Sequence, residues 1–77
     1  MPYDNIITGK VIKTLRQEKG LSQEVVSGLA DIPRSHLAMI EGGLVSPKVT
    51  TLWQISDALG LRLSELIQMV EDWDAGE

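Results

Sequence analysis

At 77 residues the chain has room for one domain, near the size at which folding buries only about 60% of the unfolded surface and a partner subunit helps. It has no cysteine and one histidine, which excludes disulfides and an ordinary zinc site and leaves helix packing to supply the stability. Seven Lys and Arg against eleven Asp and Glu give a net charge of −4, but five of the acids (Glu65, Glu71, Asp72, Asp74, Glu77) crowd the last thirteen residues, so the first sixty-four are close to neutral.

The spacing of apolar residues predicts an all-α chain with helices at about 5–18, 23–30, 34–41, 49–59 and 63–73. The first turns Ile12 and Leu15 inward and Lys10, Lys13 and Lys19 outward, and Gly20 suits the left-handed residue that ends it. Ser22 caps the second, in which Val26, Leu29 and Ala30 share one face and Ser27 is small where a neighbouring helix must pass. After Asp31, Ile32 and Pro33 a new period starts, with Leu37 and Ile40 placed to pack on Val26 and Ala30. Pro33 suits a first helical turn, where its missing N–H would be unbonded anyway. Two short helices joined by so tight a turn form the pattern used to read the major groove of DNA.

The fourth helix carries Leu52, Ile55 and Leu59, with Gly60 as its stop, and Trp53 at an outward position. The fifth, capped by Ser64 or the residues just before it, shows Leu63, Leu66, Ile67 and Val70 as one stripe. Met69 and Trp73 extend a second stripe beside Leu66, so the apolar face is too wide for one small core. A second copy of the chain covering Trp53, Leu66, Met69, Val70 and Trp73 answers this, and the alternative is that Trp73 folds back over its own core. The closing residues DAGE read as disordered. No apolar run approaches the roughly 20 residues of a membrane span, and MPYDNIITGK lacks the apolar centre of a signal peptide, so the expected location is cytoplasmic.

From Gly9 to about Ile67 the chain resembles the phage lambda repressor and Cro-like, or XRE-type, helix-turn-helix family. The matches are Leu15-Arg16, Gly20-Leu21-Ser22-Gln23, Ile40-Glu41 with Gly43, then Pro47, Thr51-Leu52, Ile55 and Ala58-Leu59-Gly60. The resemblance implies one compact five-helix DNA-binding domain over 1–77, with its helix-turn-helix at 22–41 and an acidic tail at 71–77. It puts Arg34, Ser35 and Met39 at base-reading positions on the third helix, with His36 beside them. Arg34 can fork onto guanine O6 and N7, worth about 1–3 kcal/mol of discrimination. Ser35 can donate or accept, and Met39 offers apolar contact to a thymine methyl. Gln23 is the implied phosphate contact at the start of the second helix, with Lys48, Thr50 and Thr51 at the start of the fourth. The plainer alternatives are that Arg34 is a solvated helix start and that the threonines only cap. Arg16 and Glu41 match a partly buried ion pair joining the first helix to the end of the third.

Three departures stand out. Asp31 occupies a turn position usually held by glycine, Pro33 replaces a serine or threonine cap, and Leu44 and Val45 stand where relatives often carry basic residues. The implied function is a transcription regulator that binds double-stranded DNA as a homodimer on a palindromic operator. It needs no cofactor or metal and either blocks or contacts RNA polymerase. The competing reading is an antitoxin or protein-interaction module of the same fold, whose main partner is a toxin and whose DNA binding is secondary. The acidic tail and the wide apolar face motivate it. An enzyme is not indicated, because no nucleophile, base and orienting group stand at motif spacing.

Overall fold

Asp4, in extended backbone, accepts the N–H of Ile6 at 2.8 Å and starts the first helix, α1 (Asn5–Glu18). The computed structural model describes residues 4–73 and continues with α2 (Gln23–Ala30), α3 (Arg34–Glu41), α4 (Val49–Ala58) and α5 (Leu63–Trp73). Each helix lies within a residue of its expected bounds. Residues 74–77, which are the whole DAGE segment with the acids Asp74 and Glu77, lie outside the described residues, whereas Glu71 and Asp72 belong to α5. Ser64 stands inside the first turn of α5 rather than capping it. The Glu65 carboxylate instead reaches back to accept the N–H of Arg62 at 2.9 Å.

The first four helices end by one device. The N–H groups of Leu21, Ile32, Leu44 and Leu61 reach back to the carbonyls of Arg16, Ser27, Met39 and Ser56 at 2.9–3.1 Å. The residue before each donor is left-handed: Gly20, Asp31, Gly43 and Gly60. Asp31, at φ 58°, is therefore the one of the four that carries a side chain in this conformation.

Packing follows the apolar spacing. α2 lies against α3 and α4, α1 against α3 and α5, and α4 against α5. Between them Val11, Ile12, Val26, Ala30, Leu37, Ile40, Leu52, Ile55, Leu59 and Leu66 form the core. Two expectations are corrected here. Leu29 does not share the buried face of α2, being 64% exposed, because an eight-residue helix held by two neighbours turns Val26, Ser27 and Ala30 inward. Leu66 is fully buried in its own core and is not available to a second copy.

α1 and α3 meet backbone to backbone. A Cβ built on Gly9 would overlap the carbonyl oxygen of Ile40 and come within 2.6 Å of that of Glu41, so only glycine permits this approach. Among the described residues no helix is long and apolar enough to cross a membrane.

A left-handed conformation costs a residue with a Cβ roughly 1 kcal/mol, less for Asp than for most. Asp31→Gly is expected to raise stability by about 0.5–1 kcal/mol, a rise of a few degrees in Tm for a domain this small. Thermal unfolding by circular dichroism checks this, and a lowered midpoint would show that the Asp31 side chain stabilises the turn.

Candidate nucleic-acid interface

α3 starts directly at Pro33, whose φ of −61° suits the entry but whose side chain accepts nothing from the helix. Pro33 is thus the N-cap rather than a first-turn residue. Its carbonyl takes the N–H groups of His36 and Leu37 at 3.0 and 3.2 Å, while those of Arg34 and Ser35 have no carbonyl within the helix to meet. Leu37, Ile40 and Glu41 face inward. Arg34, Ser35 and Met39 are exposed together on the opposite face, as expected for a reading surface, and His36 is half-buried at its edge. Ala38 belongs to the same face and was missed. Its position three and four residues after Ser35 and Arg34 was the signal that could have found it.

At the start of α2 the Ser22 hydroxyl accepts the N–H of Val25 at 3.1 Å, so the predicted cap forms. Gln23 is half-buried, and its Nε2 donates to Glu41 Oε1 at 3.0 Å. The sequence treats Gln23 as a free side chain, because its partner lies eighteen residues away on another helix. Lys48 is the N-cap of α4 and is exposed, as is Thr50. Thr51 is 8% exposed and packs on the inner side of α4, so it is less open to solvent than Lys48 and Thr50.

Behind this surface lies an ion pair. Arg16 Nε and Nη2 donate to Glu41 Oε2 and Oε1 at 2.8 and 2.9 Å in fork geometry, and Nη1 donates to the Leu21 carbonyl at 2.9 Å. The two side chains are only 11% and 3% exposed. The hydrogen bond to Glu41 raises the Arg16 pKa above its ordinary value, burial works against this, and the charge of Glu41 adds to the rise. A raised cationic pKa means that the contribution made by the Arg16 charge is complete below its unfolded pKa and is lost as pH rises through the folded value. Within the described residues no buried side-chain polar atom lacks a partner.

The residues expected at a dimer face separate onto two sides of α5. Trp53 is 58% exposed and borders a groove between α4 and α5 with Asp57, Leu61, Arg62, Ile67 and Glu71. Met69, 38% exposed, lies on the other side of α5, in a depression shared with Leu15 of α1 and with Trp73. Trp73 and Val70 are partly buried against the chain's own core, so the fold-back alternative describes Trp73. Ile67, in one stripe with Leu63, Leu66 and Val70 by its spacing, is 36% exposed and joins Trp53 instead.

The helix-turn-helix family model HTH_3 matches residues 12–66. The HTH-type transcriptional regulator y4dJ of Sinorhizobium fredii is 33% identical over 91% of each chain. The HTH-type transcriptional regulator PuuR of Escherichia coli is 34% identical over 96% of this chain but only 40% of its own length. Thus the chain spans nine tenths of the first relative and two fifths of the second. Among solved structures, the restriction-modification controller protein C.AhdI of Aeromonas hydrophila superimposes with a TM-score of 0.78 at 29% identity, covering 80% of this chain and 94% of that one.

Removing one partner of the Arg16–Glu41 pair strands a buried charge. Arg16→Met is expected to cost about 3–5 kcal/mol, a large share of a small domain's stability. Urea unfolding measures it, and a loss below about 1 kcal/mol would show that Glu41 finds water or another donor.

Proposed function

The chain belongs to the HTH_3 helix-turn-helix family, of the XRE type, and is a transcriptional regulator with a DNA-binding fold; we propose that it reads a palindromic operator as a homodimer. The observation that carries the proposal is the exposed face of α3, where Arg34, Ser35, Ala38 and Met39 stand clear of the core beside the half-buried Gln23. In this geometry the first residues of the second helix of the pair enter the major groove while the preceding helix crosses the backbone. Arg34 forks onto a guanine, Ser35 meets a neighbouring base edge, and Ala38 and Met39 give close apolar contact to thymine methyls. Gln23, Lys48 and Thr50 hold phosphates and set the register, with His36 at the margin of the reading face.

Trp53 and Ile67 support the dimer: they border one groove with Leu61, rimmed by charged residues, and a contiguous apolar patch of this kind is what a partner covers. A second copy seated on the α4–α5 groove would bury both, while two recognition helices spaced about 34 Å apart meet successive major grooves. The near-neutral helix-turn-helix predicts weak non-specific binding, with specificity resting on base contacts. We favour a regulator over an antitoxin because the names of the relatives point to transcription control. The restriction-modification controller among the structural relatives suggests a switch working through the protein's own concentration and contact with, or exclusion of, RNA polymerase.

Selection from a random duplex pool at stated salt is expected to recover a two-fold symmetric sequence, and no enrichment at low salt would sink the proposal. Arg34→Ala is expected to relax specificity at one base pair per half-site, with a loss of about 1–3 kcal/mol there, whereas an unchanged preferred sequence would remove Arg34 from the base-reading set. Sedimentation equilibrium tests the dimer face. Trp53→Lys is expected to weaken self-association at least tenfold and Met69→Lys to have little effect, and the reverse order would place the interface on the α1 side.

A further inference from the structure

Glu41 accepts three hydrogen bonds on two oxygens. Arg16 Nε meets Oε2 at 2.8 Å, while Arg16 Nη2 and Gln23 Nε2 share Oε1 at 2.9 and 3.0 Å. An ionised carboxylate only accepts, so the Gln23 amide has to present its nitrogen, not its oxygen, to Glu41. A primary amide nitrogen carries two hydrogens, and only one is used in this contact. Gln23 is also the first residue of α2 and only half-buried, at the helix end where the backbone N–H groups of Gln23 and Glu24 have no partner within the helix.

Charge completes the arrangement. An amide placed between a carboxylate and a phosphate would bridge two anions, which is unfavourable unless one is neutralised. The forked contact of Arg16 neutralises Glu41 at hydrogen-bond distance within the same buried cluster. A glutamate at position 23 would face Glu41 as a like charge, and a lysine would compete with Arg16 for Oε1. A neutral donor is the residue type that serves both sides.

Resting on the reading of Gln23 as a phosphate contact, we infer that Glu41 is a positioning residue for DNA binding: neutralised by Arg16, it aims the Gln23 amide so that its free N–H meets a backbone phosphate. Glu41 touches no nucleic acid itself. Its bond to Gln23 removes the rotamer freedom that an unanchored glutamine would lose on binding, and it ties the phosphate contact of α2 to the last residue of α3. Reading and gripping thereby share one rigid mount.

Two experiments test this. In the 77-residue chain with 15N-labelled glutamine, the two Nε2 hydrogens of Gln23 give separate NMR signals. On adding the selected duplex, the signal of the hydrogen on Glu41 is expected to hold its position while the other moves. If the Glu41-bound signal moves to the position of a free amide, Gln23 lets go on binding and the inference is overturned. The second experiment is a double-mutant cycle on duplex affinity at a temperature where every variant is folded. Gln23→Ala is expected to weaken binding about tenfold in the unaltered protein but less than twofold in a Glu41→Gln background. Equal losses in both backgrounds overturn the inference and leave the phosphate contact and the regulator reading standing. No loss in either removes the phosphate contact and the inference together. Failure of the unaltered protein to bind any duplex at low salt overturns the regulator reading as well.

Discussion

The forked contact between Arg16 and Glu41 is the constraint on which the rest of the molecule depends. It joins the last turn of α1 to the last residue of α3, and its remaining donor and acceptor capacity reaches the Leu21 carbonyl and the Gln23 amide at the start of α2. Three helices are therefore fixed at one buried point, at the C-terminal end of α3. The core around Ile12, Leu37 and Ile40 gives the driving force for packing, but apolar contacts are tolerant of rotation. A forked, buried ion pair is not, because a small rotation of either helix breaks two directional bonds and strands two charges. Hydrophobic burial brings α1 and α3 together, and the pair sets their angle.

Much of this fold was legible in the residues, because the helix ends carry local chemistry. Ser22 with its cap, and Gly20 and Gly60 as left-handed stops, mark boundaries within a few residues of chain, which is the range a sequence reading can reach. The misreadings share another cause. Leu29, Leu66 and Ile67 all lie on helices where two candidate faces are apolar or small, and spacing alone does not say which of them neighbouring helices will cover. α2 is touched by both α3 and α4 and α5 by both α1 and α4, so the buried face is a compromise settled in three dimensions. The Gln23–Glu41 bond is invisible for a related reason: each residue has a sufficient local explanation, and only the fold brings them together.

The charge distribution fits a reader that relies on contacts more than on field. With Leu44 75% exposed where a basic residue would strengthen the hold on phosphate, long-range attraction to DNA is small. Pro33 works the other way at short range by leaving the first N–H groups of α3 without a side-chain cap, so those dipoles remain available to whatever acceptor approaches. Binding then depends on short-range complementarity, which rewards a correct sequence and gives little to an incorrect one.

The missing side chain at Gly9 bears on how such a protein tolerates change. Where α1 meets α3, main chain rests on main chain, so their separation is set by peptide atoms that no substitution elsewhere can enlarge or shrink. Core residues farther away can be exchanged, and the helices they line can settle slightly inward or outward, while this one contact stays at the same distance. With the ion pair holding the angle and this contact the separation, drift in the interior is taken up by the other helices, so the exposed face of α3 that carries Arg34 and Ser35 keeps its place relative to α1.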